Sequence, residues 1–183
     1  MLTHKTPAKL ALTTLTLLMA ISLVLIGCSR SPLDPAQSAT SEPTLLTRAV
    51  DRNAGEASAA PVNLYTEAVI SAETGGRLEL LDVMLEVPPG AVPNDTTFSV
   101  FIPDDAVFYN EFGTDGLAFD VPVRVTMSYR DANLTGVDET SIRIGYFNEE
   151  TGAIEDVQCQ VDLLRRTVTA ELTHFSAYGL ISD

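Results

Sequence analysis

The side chains that could do chemistry are few and widely spaced. The chain has two cysteines, Cys28 and Cys159, and beyond residue 27 a single histidine, His174. A histidine-based metal site would need a second imidazole, so zinc is not expected and the sequence predicts no cofactor. Ser176 follows His174 by two positions, and residues two apart in an extended strand point to the same side. His174 and Ser176 can therefore share one face.

Carboxylates occur in pairs, at Asp104-Asp105, Asp115 with Asp120, Asp138-Glu139 and Glu149-Glu150. None of these pairs has the alternate-ligand spacing of a calcium loop. Solvated loop charge is the favoured interpretation, with weak calcium binding as the alternative. Acid and base partners for glycoside hydrolysis meet only in the fold, so an envelope hydrolase that uses loop carboxylates stays open. The absence of tryptophan makes a sugar-stacking cleft a poor expectation.

The amino terminus has the order of an export signal. A short basic region, residues 1–9, precedes an almost wholly apolar run, residues 10–26, which leads into Gly27 and Cys28. The sequence Leu25-Ile26-Gly27-Cys28 resembles the bacterial lipobox, which implies that the Cys28 thiol receives diacylglycerol before a peptidase removes residues 1–27. An uncleaved transmembrane helix is the alternative that the apolar length permits. Several acyl chains on one residue hold a protein firmly on a membrane.

Removal of residues 1–27 would take away two of the eleven basic residues and no acid, which leaves a formal charge of -16 and no lysine. Nucleic acid is therefore not an expected partner, because its phosphates are bound chiefly by Lys and Arg. Residue 29 is Ser and not the Asp associated with inner-membrane retention. We expect a cell-envelope location, at the outer membrane in a cell with two membranes.

Residues 28–61 are rich in Ser, Ala, Pro and Thr and show no sustained periodicity, so they are predicted to be a disordered tether. An acylated Cys28 cannot form a disulfide, which leaves Cys159 alone. Strand alternation puts Val157, Cys159 and Val161 on one side. A small buried hydrophobic residue is the favoured interpretation of Cys159, ahead of a reactive thiol.

Residues 62–183 alternate with a period of two, which is the pattern of strands with one buried face. Apolar residues share one side in four runs: Phe98, Val100 and Ile102; Val121, Val123, Val125, Met127 and Tyr129; Ile142, Ile144 and Tyr146; and Val168, Ala170 and Leu172. Turn-forming residues separate these runs. The fold class expected is all-β, an antiparallel two-sheet β-sandwich preceded by a signal-peptide helix and a disordered linker.

Three motifs in this part of the chain resemble the ZU-5 domain of zonula-occludens scaffolds, netrin receptors and ankyrins. They are Gly75-Gly76 before an aliphatic strand, Pro88-Pro89-Gly90-Ala91 after it, and His174-Phe175-Ser176 near the end. The resemblance covers about residues 62–183. It implies a β-sandwich used mainly for protein contacts, without a small-molecule catalytic pocket.

Some ZU-5 proteins cut their own backbone between Phe and Ser of this motif, which here is the Phe175-Ser176 bond. The resemblance implies that His174 would accept the hydroxyl proton of Ser176, whose oxygen would attack the preceding carbonyl before water resolves the ester. A relaxed planar amide resists this attack, so the cut also needs a distorted peptide. The alternative is that His174 and Ser176 satisfy each other or nearby backbone groups.

The leading functional expectation is non-catalytic: a membrane-anchored β-sandwich that binds another envelope protein or supports an envelope assembly. A self-processing domain is the second interpretation, and the carboxylate hydrolase is the third.

Overall fold

Alternating apolar residues give most strands of this chain one buried face. Phe98, Val100 and Ile102 are each 0% exposed, as the alternation predicts. Val168, Ala170 and Leu172 are likewise buried, and the residues between them are exposed or half-buried. Two stacked sheets bury such faces against each other.

The computed structural model describes residues 42–49, 62–114 and 116–183. Its strands are β1 (Thr44–Leu45), β2 (Leu64–Ile70), β3 (Gly76–Leu80), β4 (Val83–Val87), β5 (Thr96–Ile102), β6 (Tyr109–Gly113), β7 (Ala118–Ser128), β8 (Arg143–Phe147), β9 (Ile154–Asp156), β10 (Cys159–Asp162), β11 (Thr167–His174) and β12 (Ala177–Ser182). One short 3-10 helix, Glu139–Ser141, precedes β8.

These strands form two antiparallel sheets that pack against each other, which confirms the predicted β-sandwich. The larger sheet has the order β2-β5-β6-β12-β8-β9, and β1 also pairs with β12. The smaller sheet has the order β10-β11-β7-β4-β3. The predicted signal-peptide helix lies outside the described residues.

One residue of the predicted core faces solvent. Val121 is 39% exposed, although it has the same parity as the buried Val123 and Val125. The partner of β7 along β11 jumps from the pair Val123–Leu172 to the pair Ala118–His174, so residues 119–122 bulge. A bulge redirects side chains locally, and strict alternation could not show it.

Residues 42–49, called the strap below, cross one end of the sandwich. The Leu46 amide donates to the carbonyl of Leu180 at 2.8 Å, and the Ala49 amide donates to the carbonyl of Asp131 at 2.7 Å. Leu180 belongs to β12 of the larger sheet. Asp131 lies three residues beyond the end of β7, a strand of the smaller sheet. Leu46 is 3% exposed and is part of the core.

The prediction that the tether reaches residue 61 therefore does not hold for the strap, because residues 42–49 pair with and pack against the sandwich. Leu46 fills the core beneath the strap, and the strap backbone pairs with three separate segments of the domain. These contacts connect residues far apart in the chain, so a local composition rich in Ser, Pro and Thr does not reveal them. The rest of the predicted tether, residues 28–41 and 50–61, lies outside the described residues.

A largely buried ion pair joins the strap to the smaller sheet. Arg48 Nη2 donates to Asp82 Oδ1 at 2.8 Å, and the two side chains are 13% and 12% exposed. The Arg48 guanidinium also lies 4.0 Å from the centre of the Phe108 ring, a cation–π contact. Arg48 thus connects both sheets at this end.

Candidate functional site

The motif His174-Phe175-Ser176 lies where the chain passes from one sheet to the other. His174 is the last residue of β11 in the smaller sheet, and Ser176 immediately precedes β12 in the larger sheet. The two residues are therefore not on one strand, and strand alternation does not place them on a shared face. The motif is a junction between sheets.

His174 contacts aromatic side chains at this junction. Its Nδ1 lies 3.4 Å from the Tyr178 hydroxyl, which also donates to the His174 carbonyl at 3.1 Å. The Tyr146 ring packs edge-on against the imidazole, with ring centres 5.4 Å apart. Burial, with a smaller effect from Tyr146, raises the pKa of Tyr178, so its hydroxyl keeps its proton as a donor.

Phe175 anchors the junction in the core. Its side chain is 1% exposed and its ring contacts three other aromatic rings. The ring centres lie 5.7 Å from Phe98, 5.4 Å from Phe112 and 4.7 Å from Phe119. The residue on the amino side of the scissile bond in the self-cleavage hypothesis is thus held by packing.

Ser176 is half-buried, and its carbonyl accepts a hydrogen bond from the Phe112 amide at 2.9 Å. Among the residues that the structure describes, no hydrogen bond joins Ser176 to His174. Transfer of the serine proton to the imidazole therefore requires a rearrangement of this turn.

The loop carboxylates have local structural roles. Asp104 and Asp138 accept from the backbone amides of Ala106 and Thr140, at 2.8 and 2.9 Å, and thereby stabilise their own turns. Asp105 accepts from the Val62 amide at 3.0 Å. Asp115 lies outside the described residues. Within residues 42–49, 62–114 and 116–183, no three His, Cys, Asp or Glu side chains are grouped as metal ligands would be.

Of the two cysteines, Cys159 lies within the described residues and Cys28 does not. Cys28, the predicted acylation site, lies outside the described residues with the rest of the predicted signal. Cys159 is half-buried in β10 and packs against the core with Val157 and Val161, on the side that alternation predicts. In the described part of the chain, no helix has both the length and the apolar character needed to span a bilayer.

The outer surface of the larger sheet carries a group of aromatic side chains. This aromatic face consists of Tyr65, Phe101, Tyr109 and Phe147, which lie on β2, β5, β6 and β8. Tyr65 stands opposite Phe101 in the β2–β5 pair, and the rings of Tyr109 and Phe147 meet edge-on with centres 5.1 Å apart. Cross-strand aromatic neighbours of this kind stabilise a sheet surface.

A glycine in β12 leaves room for an aromatic ring of this face. Gly179 of β12 pairs with Tyr109 on one side and Gly145 on the other. A Cβ atom at Gly179 would lie 2.5 Å from the Phe108 carbonyl oxygen and 3.0 Å from Phe147 Cε2. The Phe147 ring therefore lies directly over the glycine backbone, an approach that a larger residue would prevent.

Acidic groups border the aromatic face. The Tyr65 hydroxyl donates to Glu67 Oε2 at 2.5 Å, and this hydrogen bond is the main reason that the pKa of Tyr65 is raised. Burial is the main cause of the raised pKa of Tyr109, and the charges of Glu111 and Glu149 raise it further. The surface is thus apolar at its centre and negatively charged beside it.

Strand β2 forms the edge of the larger sheet beside this face. Its seven residues pair with β5 alone, and no backbone of residues 42–49, 62–114 or 116–183 pairs with its second side. Tyr65 is 58% exposed and Val69 is 70% exposed on the outer side of this strand. Strand alternation does not predict this surface, because it assigns these outward-facing residues to solvent. The signal was present in Tyr65, Val69 and Phe101, apolar residues at positions where polar ones are expected.

Comparison with protein-family models gives no match, and no curated protein sequence matches this chain significantly.

Proposed function

We propose that this chain is an extracytoplasmic lipoprotein, acylated on Cys28, whose β-sandwich binds another envelope protein through β2 and the aromatic face. The observation that carries the protein-binding role is the edge strand itself. It offers seven residues of backbone with one unpaired side among the described strands, and it exposes Tyr65 and Val69. The binding role is non-catalytic and needs no cofactor.

An exposed edge strand pairs readily with another chain, and natural domains commonly protect such edges with charge, proline or bulges. Strand β2 has a single charged residue, Glu67, and no proline. Strand addition supplies main-chain hydrogen bonds, while alternate side chains provide specificity. Tyr and Phe are frequent anchors of protein interfaces. Glu67 and Glu111 favour a partner segment that carries Lys or Arg beside its apolar residues.

The anchoring role is supported by the amino-terminal sequence. A basic region, an apolar run and the lipobox-like Leu25-Ile26-Gly27-Cys28 stand in the order of a lipoprotein signal. With Ser29 after the acylated residue, the proposed location is the outer membrane of a cell that has two membranes. The resemblance to ZU-5 domains, which mainly make protein contacts, supports the binding role.

The binding role is tested by photo-crosslinking in intact cells. A photoreactive residue at Thr97, which is exposed and faces Val69 across the β2–β5 pair, would report on this edge. We expect one adduct of defined mass. Combined replacement of Tyr65→Ser and Val69→Ser should lower its yield about tenfold or more, because interface anchors carry much of the binding free energy.

Val121→Ser is the matched control, because Val121 is an exposed apolar residue of the smaller sheet. It should leave the adduct unchanged. Equal yields from the Tyr65→Ser/Val69→Ser variant and from the unchanged chain would reject β2 as the binding edge.

Intact-mass analysis under denaturing conditions tests the anchor and the self-cleavage alternative together. Protein extracted from membranes is expected to lack residues 1–27, to carry added acyl mass, and to retain residues 176–183. Retention is expected because no hydrogen bond joins Ser176 to His174 and a rearrangement would be needed for the cut. Denaturation is necessary because all six residues of β12 are buried and a cut segment would stay in the sheet.

Cys28→Ala is the control for the anchor. It should leave an unprocessed chain without lipid, since the acylated thiol would be absent. Normal acylation of this variant would reject Cys28 as the anchor, and a mass short of residues 176–183 would establish self-cleavage.

A further inference from the structure

The strap, the β10–β11 turn and the β3–β4 turn lie at the same end of the sandwich, called the strap end. The Ala49 amide of the strap donates to the carbonyl of Asp131. Two residues before Asp131, the Tyr129 amide donates to the carbonyl of Arg166 in the β10–β11 turn. In the β3–β4 turn, Asp82 accepts from Arg48 of the strap. Pro43 and Val161 line one groove, which places the start of the strap beside β10.

The β10–β11 turn projects two leucines from this end. Leu164 is 98% exposed and Leu163 is 48% exposed. The turn is held by Asp162, whose Oδ1 accepts from the amides of Leu164 and Arg165 at 3.0 and 2.9 Å. Arg165 Nη1 adds a salt bridge to Asp162 Oδ2 at 2.7 Å. The leucines are therefore presented by an ordered turn.

Exposed apolar residues are concentrated at the strap end. Of the seven large apolar side chains that are exposed in the described ranges, four lie here: Val62, Leu81, Leu163 and Leu164. Leu81 belongs to the β3–β4 turn next to Asp82, and the Val62 amide binds Asp105 near the strap. Single exposed leucines are ordinary on protein surfaces, so the feature that points to a contact is the adjacent pair Leu163–Leu164 on one ordered turn.

The start of the strap, Glu42, lies at this same end, beside the end of β12. Residues 29–41, thirteen in number, separate Cys28 from Glu42. A chain of this length reaches at most about 50 Å when fully extended, and a flexible one spans about 20 Å on average. An acylated Cys28 would therefore hold the strap end near the bilayer.

We propose that the Leu163–Leu164 turn inserts into the interface of the bilayer in which Cys28 is anchored, as a second point of attachment. This inference rests on the proposed acylation of Cys28. Two leucines bind a membrane weakly alone, but a tether makes the contact intramolecular and raises its effective concentration. The turn would fix which end of the domain faces the lipid, and would leave β2 and the aromatic face accessible from the side.

The charges of the turn favour contact with zwitterionic lipid headgroups. Arg165 is paired with Asp162, and Arg166 lies 3.5 Å from Glu139. Arg130, whose Nε donates to the Arg165 carbonyl at 3.1 Å, adds a single cation beside the turn. Without residues 1–27 the chain is strongly acidic, with 9 basic and 25 acidic residues and a formal charge of -16. Anionic headgroups would be repelled, so neither attraction to anionic lipid nor a basic patch is part of the contact.

The chain contains no tryptophan, so a single introduced indole reports its own surroundings. The test uses the acylated Leu164→Trp protein, residues 28–183, in phosphatidylcholine vesicles. Val69→Trp is the matched control, because Val69 is 70% exposed and lies near the end of β2 that is remote from the strap. Brominated acyl chains should lower the emission of the Leu164→Trp protein about twofold, as expected for interfacial insertion, and leave that of Val69→Trp unchanged.

Each outcome decides the question. If the purified protein carries no acyl mass, both the anchor and the inserted turn are rejected. If it is acylated but brominated lipid quenches neither indole, or both equally, only the inserted turn is rejected. A change in Leu164→Trp emission that appears only when a second protein is added would identify the turn as a protein contact and would also reject lipid insertion.

Discussion

Replacement of Phe175 by alanine is expected to lower the free energy of unfolding by about 3–5 kcal/mol, the range for large aromatic residues in cores. The Phe175 ring is 1% exposed and contacts the rings of Phe98, Phe112 and Phe119. Its loss opens a cavity between the two sheets that rigid neighbouring rings cannot fill. Urea unfolding followed by far-UV circular dichroism would measure the change.

Phe101→Ala is the matched control for this prediction, because Phe101 is half-buried on the outer aromatic face. It removes the same side chain without opening a cavity in the core, so its effect should be clearly smaller. A loss below about 1 kcal/mol for Phe175→Ala would show that the junction repacks and would contradict the cavity argument.

Asp82→Ala is expected to cost about 3 kcal/mol of unfolding free energy, because it leaves the buried Arg48 guanidinium without its carboxylate. Arg48 Nη2 and Asp82 Oδ1 are 2.8 Å apart, and both side chains are nearly buried. Arg48→Ala should be similarly destabilising. The double variant should lose much less than the sum of the two, since the second substitution removes the unpaired charge.

The exposed pair Arg124–Glu171 is the control for this cycle, with side chains 56% and 51% exposed. Its coupling should be below about 1 kcal/mol because water screens both charges. Equal coupling in the two pairs would indicate that the strap pair is not shielded from solvent and that the strap is loosely attached.

The same pair has a defined pH dependence. Burial raises the pKa of Asp82 above its ordinary value, and Arg48 opposes this shift without overcoming it. The folded state therefore binds the Asp82 proton more tightly than the unfolded chain. We therefore compare the unchanged chain with Asp82→Asn, which has no titrating group at residue 82. As pH rises from the ordinary pKa of an aspartate through the raised pKa of Asp82, the unfolding free energy of the unchanged chain should fall relative to that of the variant. A relative gain over this range would contradict burial as the dominant cause.

Much of the sandwich was predictable from the sequence. Phe98, Val100 and Ile102 alternate with polar residues, and their burial follows because a strand turns successive side chains to opposite faces. Val121 is an exception, since the bulge at residues 119–122 turns its side chain to solvent without any change in the sequence pattern. Alternation also hid the aromatic face, because it assigns Tyr65 and Phe101 to solvent without showing that they stand together.

The candidate site was only partly predictable. The amino acids of the motif His174-Phe175-Ser176 can be read directly, but their placement at a junction between sheets depends on strand order. Two residues in sequence share a face only while the strand continues, and here β11 ends at His174. The contact of His174 with Tyr178, four residues later, follows from that turn.

The sequence by itself determined the all-β class, the phase of most buried residues and the amino-terminal order that predicts an acylated Cys28. Only the tertiary structure decided that the strap belongs to the domain, that Arg48 pairs with Asp82, and that the Leu163–Leu164 turn lies at the same end as the strap. The physical reason is that periodicity reports which face of a segment is buried. It does not report which distant segment covers that face, and this depends on packing between residues far apart in the chain.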